Sequence, residues 1–198
     1  MSQLAVATVY EAAGREGLID LALHRIVPGS RASGPARPVC CGQGDNLMVH
    51  AAMAHARPGD VLVLTMPDPA PVALVGDLLA TQAKAQGVAA ILVDGAIRDA
   101  DELAELGLPI WARWIRVRGA TKDIPGTIDE PVTVGGARIA AGDLVVLDGD
   151  GAAVVAQDRI DDVLAAAQDR EERETAKRAK LQAGELSYDL DNLRARVE

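Results

Sequence analysis

The sequence predicts an α/β fold in which helices alternate with short buried strands, followed by a β-rich segment and a long C-terminal helix. Of the 198 residues, 49% are hydrophobic, and small aliphatic side chains supply nearly all of them because Phe is absent and Trp and Tyr number two each. Such side chains suit a sheet covered by helices. A chain of this length buries one core, so we expect a single α/β domain over residues 1–157 and a C-terminal helix and tail over 158–198.

The N-terminal quarter is predicted to be helical, with one loop. Apolar residues over 4–23 recur at roughly helical spacing, which predicts one or two helices. Residues 28–38 are rich in Gly, Ser, Ala and Pro and are predicted to form a loop. Asp45 can cap a helix over 47–54, which the Pro- and Gly-containing turn at 57–60 ends.

Two helix-and-strand steps are predicted next. The apolar run 61–65 is a buried strand, and 67–76 is a Pro-rich loop. A helix begins at Gly76-Asp77, runs to residue 85 and ends before Gly87. Residues 89–93 form a second buried strand. The alternation of helix and strand favours a sheet with parallel strands.

The second half of the chain changes character. Residues 110–117 mix large apolar and basic side chains, and 131–156 contains three or four short β-rich runs divided by the turns 135–136, 141–143 and 148–151. A long helix over 158–183 is strongly charged after Gln168. Because a helix that is polar on most faces seldom packs only on its own core, we expect it to reach a neighbouring subunit.

Charge and hydropathy exclude several classes of partner. The formal net charge is -9, with 29 acidic and 20 basic residues, so the surface is poorly suited to nucleic acid. No apolar run has transmembrane length, and the N-terminus lacks the features of a signal peptide, so we expect a cytoplasmic protein without membrane contact. Cys40 and Cys41 are adjacent and are interpreted as small buried residues.

Two segments contain candidate functional residues. Gly76-Asp77 lies at a predicted helix start, where free backbone N–H groups favour a carboxylate or phosphate, although an Asp there is more often a simple cap. Arg98-Asp99 follows a buried strand, where α/β proteins tend to place their sites. Arg suits a carboxylate or enolate oxygen and Asp suits Mg²⁺ or Mn²⁺, but the same pair could be a structural ion pair.

The joint spacing of these residues resembles that of a known family. Twenty residues separate Asp77 from Arg98, and Asp99 follows directly. Together with Gly44-Asp45-Asn46-Leu47, His50, Val93-Asp94-Gly95 and Ala183-Gly184-Glu185-Leu186, this pattern resembles the 4-hydroxy-4-methyl-2-oxoglutarate and 4-carboxy-4-hydroxy-2-oxoadipate aldolases. Those enzymes are similar in fold to the regulator of ribonuclease activity A, RraA. The resemblance covers the chain from about residue 40 to its end and implies a swivelling β/β/α fold.

The resemblance also implies an activity and a metal site. It implies a class II retro-aldol lyase that cleaves 4-hydroxy-2-oxo acids to pyruvate and a second 2-oxo acid, with oxaloacetate decarboxylation as a side activity. Asp99 would anchor Mg²⁺ or Mn²⁺, and Asp77 would hold the hydration shell of the ion. Glu174, from the C-terminal helix of a neighbouring subunit, would complete the site in a homotrimer or hexamer.

The substrate-binding residues implied by the resemblance lie in the same two segments. Arg98 would bind the keto or enolate oxygen. The backbone N–H groups of Leu78 and Leu79, which follow Gly76, would bind the pyruvyl carboxylate.

Three alternatives are weighed against this interpretation. A Schiff-base aldolase needs a buried Lys, whereas none of Lys84, Lys122, Lys177 and Lys180 lies in a strongly apolar run. His24, His50 and His55 lack metal-ligand spacing and are interpreted as structural or solvated. A non-catalytic protein-binding regulator resembling RraA would share the fold. Asp77, Arg98-Asp99 and the long C-terminal helix favour the enzyme over the regulator.

Overall fold

A computed structural model describes residues 4–198 of the chain. Its helices are α1 (Val6–Ala12), α2 (Leu47–Met53), α3 (Asp77–Ala85), α4 (Ala100–Leu106), α5 (Ile160–Gln182) and α6 (Ser187–Leu190). Its strands are β1 (Leu18–Ile19), β2 (His24–Arg25), β3 (Ala32–Cys40), β4 (Val61–Thr65), β5 (Ala73–Val75), β6 (Ala90–Ile97), β7 (Ile110–Ile115), β8 (Thr127–Ile128), β9 (Val132–Val134), β10 (Ala137–Ile139), β11 (Leu144–Asp148) and β12 (Gly151–Val155). Short 3-10 turns at Gln157–Arg159 and Arg194–Arg196 complete the described elements.

Most strands of the described range form one mixed sheet. The order along it is β1, β12, β11, β3, β4, β6, β7 and β2, with β5 paired to β6 and β8 paired to β3. The central strands β3, β4, β6 and β7 are parallel, whereas β1, β12, β11 and β2 are antiparallel to their neighbours. Strands β9 and β10 form a separate hairpin. The predicted α/β class and the long C-terminal helix are confirmed.

The predicted loop over 28–38 is wrong, because most of it belongs to β3. The first half of β3 pairs antiparallel with β11, and from Ala36 onward the strand pairs in parallel with β4. Pro35 stands where the partner changes, so its missing N–H costs little. At Gly34 a Cβ would lie 2.1 Å from the carbonyl oxygen of Gly59. The Gly and Pro that suggest a loop therefore serve a strand that changes partners.

The predicted helical stretch over 4–23 is too long, because α1 ends at Ala12. Gly14, Arg15 and Gly17 follow with φ angles of 78°, 65° and 77°. This left-handed backbone cannot continue a right-handed helix. The chain beyond it forms the short strands β1 and β2, and Ile19 of β1 is buried in the core, with Leu21 and Leu23 packed against the same cluster.

Several of the remaining elements also differ from the prediction, and β8 and α6 have no counterpart in it. Strand β6 continues to Ile97 and β5 lies inside the predicted Pro-rich loop, because the two strands pair in parallel. Helix α4 has no counterpart in the prediction.

Cys41 is buried, and burial raises its pKa to about 12, with the nearby Cys40 and Asp45 adding to the shift, so its thiol stays protonated. Among residues 4–198, no helix is long and apolar enough to cross a membrane.

Alternate residues of the central strands divide the core between the two faces of the sheet. Leu62, Leu64 and Ile91 pack toward α2, α3 and α4. Val63 and Leu92 face the opposite side, which Trp111 and the β9–β10 hairpin cover. A third cluster joins α1 to the first half of α5, whose fully or nearly buried residues are Val163 and Ala167. No residue in the charged second half of α5 is buried.

Candidate functional site

The candidate site forms where two neighbouring strands end. Strand β5 leads through Gly76 directly into α3, and β6 leads into Arg98 and Asp99. Because β5 and β6 are parallel, both chain exits lie at the same edge of the sheet. The Arg98 N–H donates to the Val75 carbonyl oxygen at 3.1 Å, which fixes one exit to the other.

Asp77, Arg98 and Asp99 come together at this edge. The backbone N–H of Asp77 donates to Oδ2 of Asp99 at 3.1 Å, and Nε of Arg98 lies 3.7 Å from the same oxygen. Asp99 has a left-handed backbone, with φ 59° and ψ 45°, immediately before α4. Asp is one of the few non-glycine residues that adopt this region readily, so it suits the turn between β6 and α4. The structure therefore joins two segments that are 22 positions apart in the chain.

Close packing requires glycine beside these side chains. A Cβ on Gly76 would lie 2.6 Å from Asp99 Oδ2 and 3.2 Å from Nε of Arg98. A Cβ on Gly119 would lie 2.8 Å from a terminal nitrogen of Arg98. The backbone at Gly76 thus lies against both side chains, and the backbone at Gly119 lies against the guanidinium alone.

These residues line an open cleft of about 310 Å³. Its lining includes all six predicted site residues other than Glu174, namely Gly76, Asp77, Leu78, Leu79, Arg98 and Asp99. Glu174 lies on α5, where its Oε1 pairs with Nε of Arg170 at 2.8 Å, and it does not line the cleft of its own chain. Its predicted role requires a neighbouring subunit and stays a prediction.

The start of α3 presents backbone donors to the cleft. The first N–H groups of a helix have no acceptor within it, so those of Leu78 and Leu79 are available to an anion. The Leu79 side chain is buried in the core and fixes this turn, whereas that of Leu78 is 84% exposed. The first turn of α3 is therefore anchored in the core through Leu79, while its Leu78 side is accessible to a ligand.

Asn46, His50 and Lys122 line a further wall of the cleft. The sequence interpretation assigned no role to Asn46 or Lys122 and treated His50 as structural or solvated. Asn46 and His50 share one face of the segment entering α2 because they are four positions apart. The Gly44-Asp45-Asn46-Leu47 and His50 pattern could have identified this wall, since it is part of the family resemblance.

Asp45 holds the Lys122 segment against this wall. Its carboxylate accepts hydrogen bonds from the Leu47 N–H at 2.8 Å, and from the Thr121 hydroxyl and the Asp123 N–H at 2.6 Å each. Burial alone would raise the pKa of Asp45, but these bonds, with one from the Ile124 N–H, outweigh burial and lower the pKa from 3.8 to about 2. Asp45 is therefore ionised at neutral pH, and its carboxylate connects the start of α2 to the loop that contains Thr121 and Asp123.

The donor set of the cleft fits a largely hydrated cation. Across residues 4–198, no group of three or more His, Cys, Asp or Glu side chains could enclose a metal ion. Mg²⁺ keeps several waters and is commonly bound through one or two carboxylates, and Asp99 and Asp77 offer two. The set does not fit a structural zinc, which takes four protein ligands.

The fold and the cleft define an α/β protein with an acid and arginine site at parallel strand ends, suited to a small anionic ligand. The model of the family described as "Aldolase/RraA", of the RraA-like class, matches residues 6–154. The chain belongs to this family, as its motifs indicate.

Relatives in this family carry names of two kinds. The chain is 38% identical over 144 residues to a Halalkalibacterium halodurans protein named "Putative 4-hydroxy-4-methyl-2-oxoglutarate aldolase". The matched residues cover 73% of this chain and 69% of that protein. The structure of Streptomyces coelicolor RraAS2, described as an unusual member of the RNase ES inhibitor RraA family, is 33% identical with a TM-score of 0.78, and the match covers 88% of this chain and 91% of that one. The structure of the RNA-processing inhibitor RraA from Thermus thermophilis is 25% identical with a TM-score of 0.71, covering 77% and 93%.

Proposed function

We propose that this chain is a divalent-metal-dependent class II pyruvate aldolase. Its substrates would be 4-hydroxy-2-oxo acids such as 4-hydroxy-4-methyl-2-oxoglutarate and 4-carboxy-4-hydroxy-2-oxoadipate, and its products pyruvate and a second 2-oxo acid. The observation that carries the proposal is the meeting of Asp77, Arg98 and Asp99 at the first turn of α3. The aldolase name of the Halalkalibacterium relative supports it.

Substrate binding follows from the donors at the cleft. The N–H groups of Leu78 and Leu79 would bind the C1 carboxylate, because they are free donors at the positive end of a helix. Arg98 would donate to the C2 oxygen, whose negative charge grows as the reaction proceeds. The substrate is thus held through its pyruvyl half, which is common to all the proposed substrates.

In the reaction, the bond between C3 and C4 breaks and its electron pair passes to the pyruvyl half as an enolate. The C4 hydroxyl loses its proton and C4 becomes the carbonyl carbon of the second product. C3 of the enolate then gains a proton to give pyruvate. Arg98 stabilises the enolate oxygen, and Asp77 receives the hydroxyl proton through water.

Asp99 and Asp77 would hold Mg²⁺ or Mn²⁺, with Glu174 of a neighbouring subunit as a third acidic group in a homotrimer or hexamer. When bound, the cation supplies positive charge that lowers the energy of the enolate. Loss of carbon dioxide from oxaloacetate leaves the same enolate, so decarboxylation is the expected side activity. The protein-binding alternative, a regulator resembling RraA, predicts no turnover.

The test follows pyruvate release from 4-hydroxy-4-methyl-2-oxoglutarate and from oxaloacetate with Mg²⁺ or Mn²⁺. Turnover should disappear when a chelator is added. Asp99→Ala or Arg98→Ala should each lower turnover by about 10²-fold to 10³-fold, the approximate effect of removing one group that stabilises a developing charge. Asp101→Ala is the matched control, because Asp101 is an exposed acid two positions onward that does not line the cleft. Pyruvate release at close to the wild-type rate in either site variant refutes the assignment.

A further inference from the structure

The loop between β7 and β8, residues 116–126, borders the cleft but buries almost none of its own side chains. Ala120 packs partly against the main core, whereas residues 121–126 are all exposed. A segment that removes so little apolar surface from water gains little from the hydrophobic effect. The position of this loop therefore depends on hydrogen bonds.

The carboxylate of Asp45 holds the second half of the loop. Asp45 is 0% exposed, and its Oδ2 accepts from the Thr121 hydroxyl and the Asp123 N–H at 2.6 Å each. The Ile124 N–H also donates to this carboxylate. Its Oδ1 accepts from the Leu47 N–H at 2.8 Å, which anchors the carboxylate to the start of α2. An amide could not replace it, because either end of the amide would place an NH2 group against a backbone N–H donor.

The first half of the same loop lies against Arg98. A Cβ on Gly119 would lie 2.8 Å from a terminal nitrogen of Arg98. The ion pair with Asp99, at 3.7 Å from Nε, is longer than a hydrogen bond and does not by itself fix the guanidinium. Contact with the loop backbone therefore limits how the guanidinium can turn.

Gly119 is held from both sides along the chain. On one side the Arg118 carbonyl oxygen accepts from the Ala73 N–H at 2.7 Å, which fixes the loop to β5. On the other side Thr121 is held by Asp45. Loss of the Asp45 bonds would leave the backbone at Gly119 fixed at one end only.

Resting on the proposed function, we propose that Asp45 is a positioning residue that acts on Arg98 through the loop over 116–126. Its carboxylate fixes the loop at Thr121, and the loop backbone at Gly119 keeps the guanidinium directed at the enolate oxygen. Asp45 does not line the cleft, so it contributes no contact to the substrate.

Hydrogen exchange of the full chain measures the loop without depending on turnover. The informative group is the Thr121 N–H, because its own acceptor, the Gly44 carbonyl oxygen at 3.1 Å, is unchanged in Asp45→Asn. We expect its exchange to become about tenfold faster in this variant, as the loss of one hydrogen bond to a charged group would cause. Thr121→Val removes one donor and should give a smaller increase, whereas Thr121→Ser should keep the wild-type rate.

The same variants are assayed for pyruvate release at saturating metal. Asp45→Asn should lower kcat for 4-hydroxy-4-methyl-2-oxoglutarate about tenfold and leave KM within about threefold. The reason for the split is that the N–H groups of Leu78 and Leu79 lie outside the loop, whereas Arg98 acts on the charge that develops in the reaction. Oxaloacetate decarboxylation should fall by the same factor, because it passes through the same enolate. Thr121→Val should show a smaller loss of kcat and Thr121→Ser none.

Asp143→Asn is the matched control. Asp143 is also a buried carboxylate, which accepts from the Ala140 N–H at 2.8 Å and the Gln157 N–H at 3.0 Å, and it does not line the cleft. This variant should be less stable than wild type but should keep its kcat and its Thr121 exchange rate.

The possible failures are distinguishable. Wild-type protein that releases no pyruvate from any substrate refutes the proposed function and the action on Arg98 with it. An active wild type combined with a normal kcat in Asp45→Asn refutes the positioning role alone. A lower kcat with unchanged Thr121 exchange also refutes it, because Asp45 would then act without the loop. Equal losses of kcat in Asp45→Asn and Asp143→Asn refute it as well, since they assign the effect to stability. If Asp45→Asn does not fold, Thr121→Val decides by the same two measurements.

Discussion

Replacing Gly76 with Ala separates the geometry of the site from the stability of the fold. The new Cβ would lie 2.6 Å from Asp99 Oδ2, whereas ordinary contact begins at 3.4 Å, so the carboxylate or the backbone must move by roughly 0.8 Å. A displacement of about 1 Å in a catalytic group can cost about 10²-fold in rate, or about 2.7 kcal/mol of barrier. The φ angle of Gly76 is -137°, which Ala adopts without strain. We therefore expect pyruvate release to fall about 10²-fold while the free energy of unfolding changes by less than about 1 kcal/mol.

The assay measures pyruvate release at saturating metal and, in parallel, the denaturant midpoint. Gly149→Ala is the matched control, because its Cβ would meet only the flexible end of Arg25, at 3.2 Å, away from the cleft. The reasoning is refuted if Gly76→Ala keeps more than half of the wild-type rate. It is also refuted if activity and stability fall together, because the loss would then come from unfolding.

Two further predictions concern the scaffold. Leu103→Ala should lower the free energy of unfolding by about 2–5 kcal/mol, because Leu103 is fully buried where α4 packs on the core, and a loss below about 1 kcal/mol by denaturant titration would contradict that packing. Asp45 has a lowered pKa in the folded state, so its contribution to stability is complete well above pH 3.8 and is lost as the pH falls toward 2. Asp45→Asn should therefore have a lower free energy of unfolding than wild type at pH 7, and the difference should be smaller at pH 3. An equal difference at both pH values would contradict the structural role of the Asp45 carboxylate.

Prediction of the fold succeeds where local patterns decide the structure. The apolar run 61–65 and the helix that begins at Asp77 appear as β4 and α3, since burial on both faces and a helix start each leave a local pattern. It fails in β3, where the close contact with Gly59 requires glycine at position 34, and Pro35 is tolerated because the strand changes partner there. Those causes are tertiary, and a single sequence does not record them.

Prediction of the site likewise succeeds where local patterns identify a residue and fails where long-range contacts place it. The spacing of Asp77 and Arg98-Asp99 identifies one wall of the cleft because both segments adjoin strong helix and strand patterns. Lys122 could not be found in this way. It reaches the cleft through a loop that Asp45 holds by hydrogen bonds across more than 75 positions in the chain. Side chains placed by such long-range contacts carry no local periodicity.

The twenty-residue spacing has a geometric origin. Strand β5, helix α3 and parallel strand β6 form one βαβ unit, so the residue that opens the helix and the residues that follow the second strand return to the same edge of the sheet. The interval is the length of one helix, one turn and one strand. The spacing thus follows from the fold, and a non-catalytic member of the family could share it. In the proposed function, the side chains at its ends carry the chemistry: Asp99, which has a left-handed backbone and accepts the Asp77 N–H, and Arg98, which is confined by glycine. The distinction between an aldolase and a binding regulator therefore rests on these three side chains, and not on the sheet that brings them together.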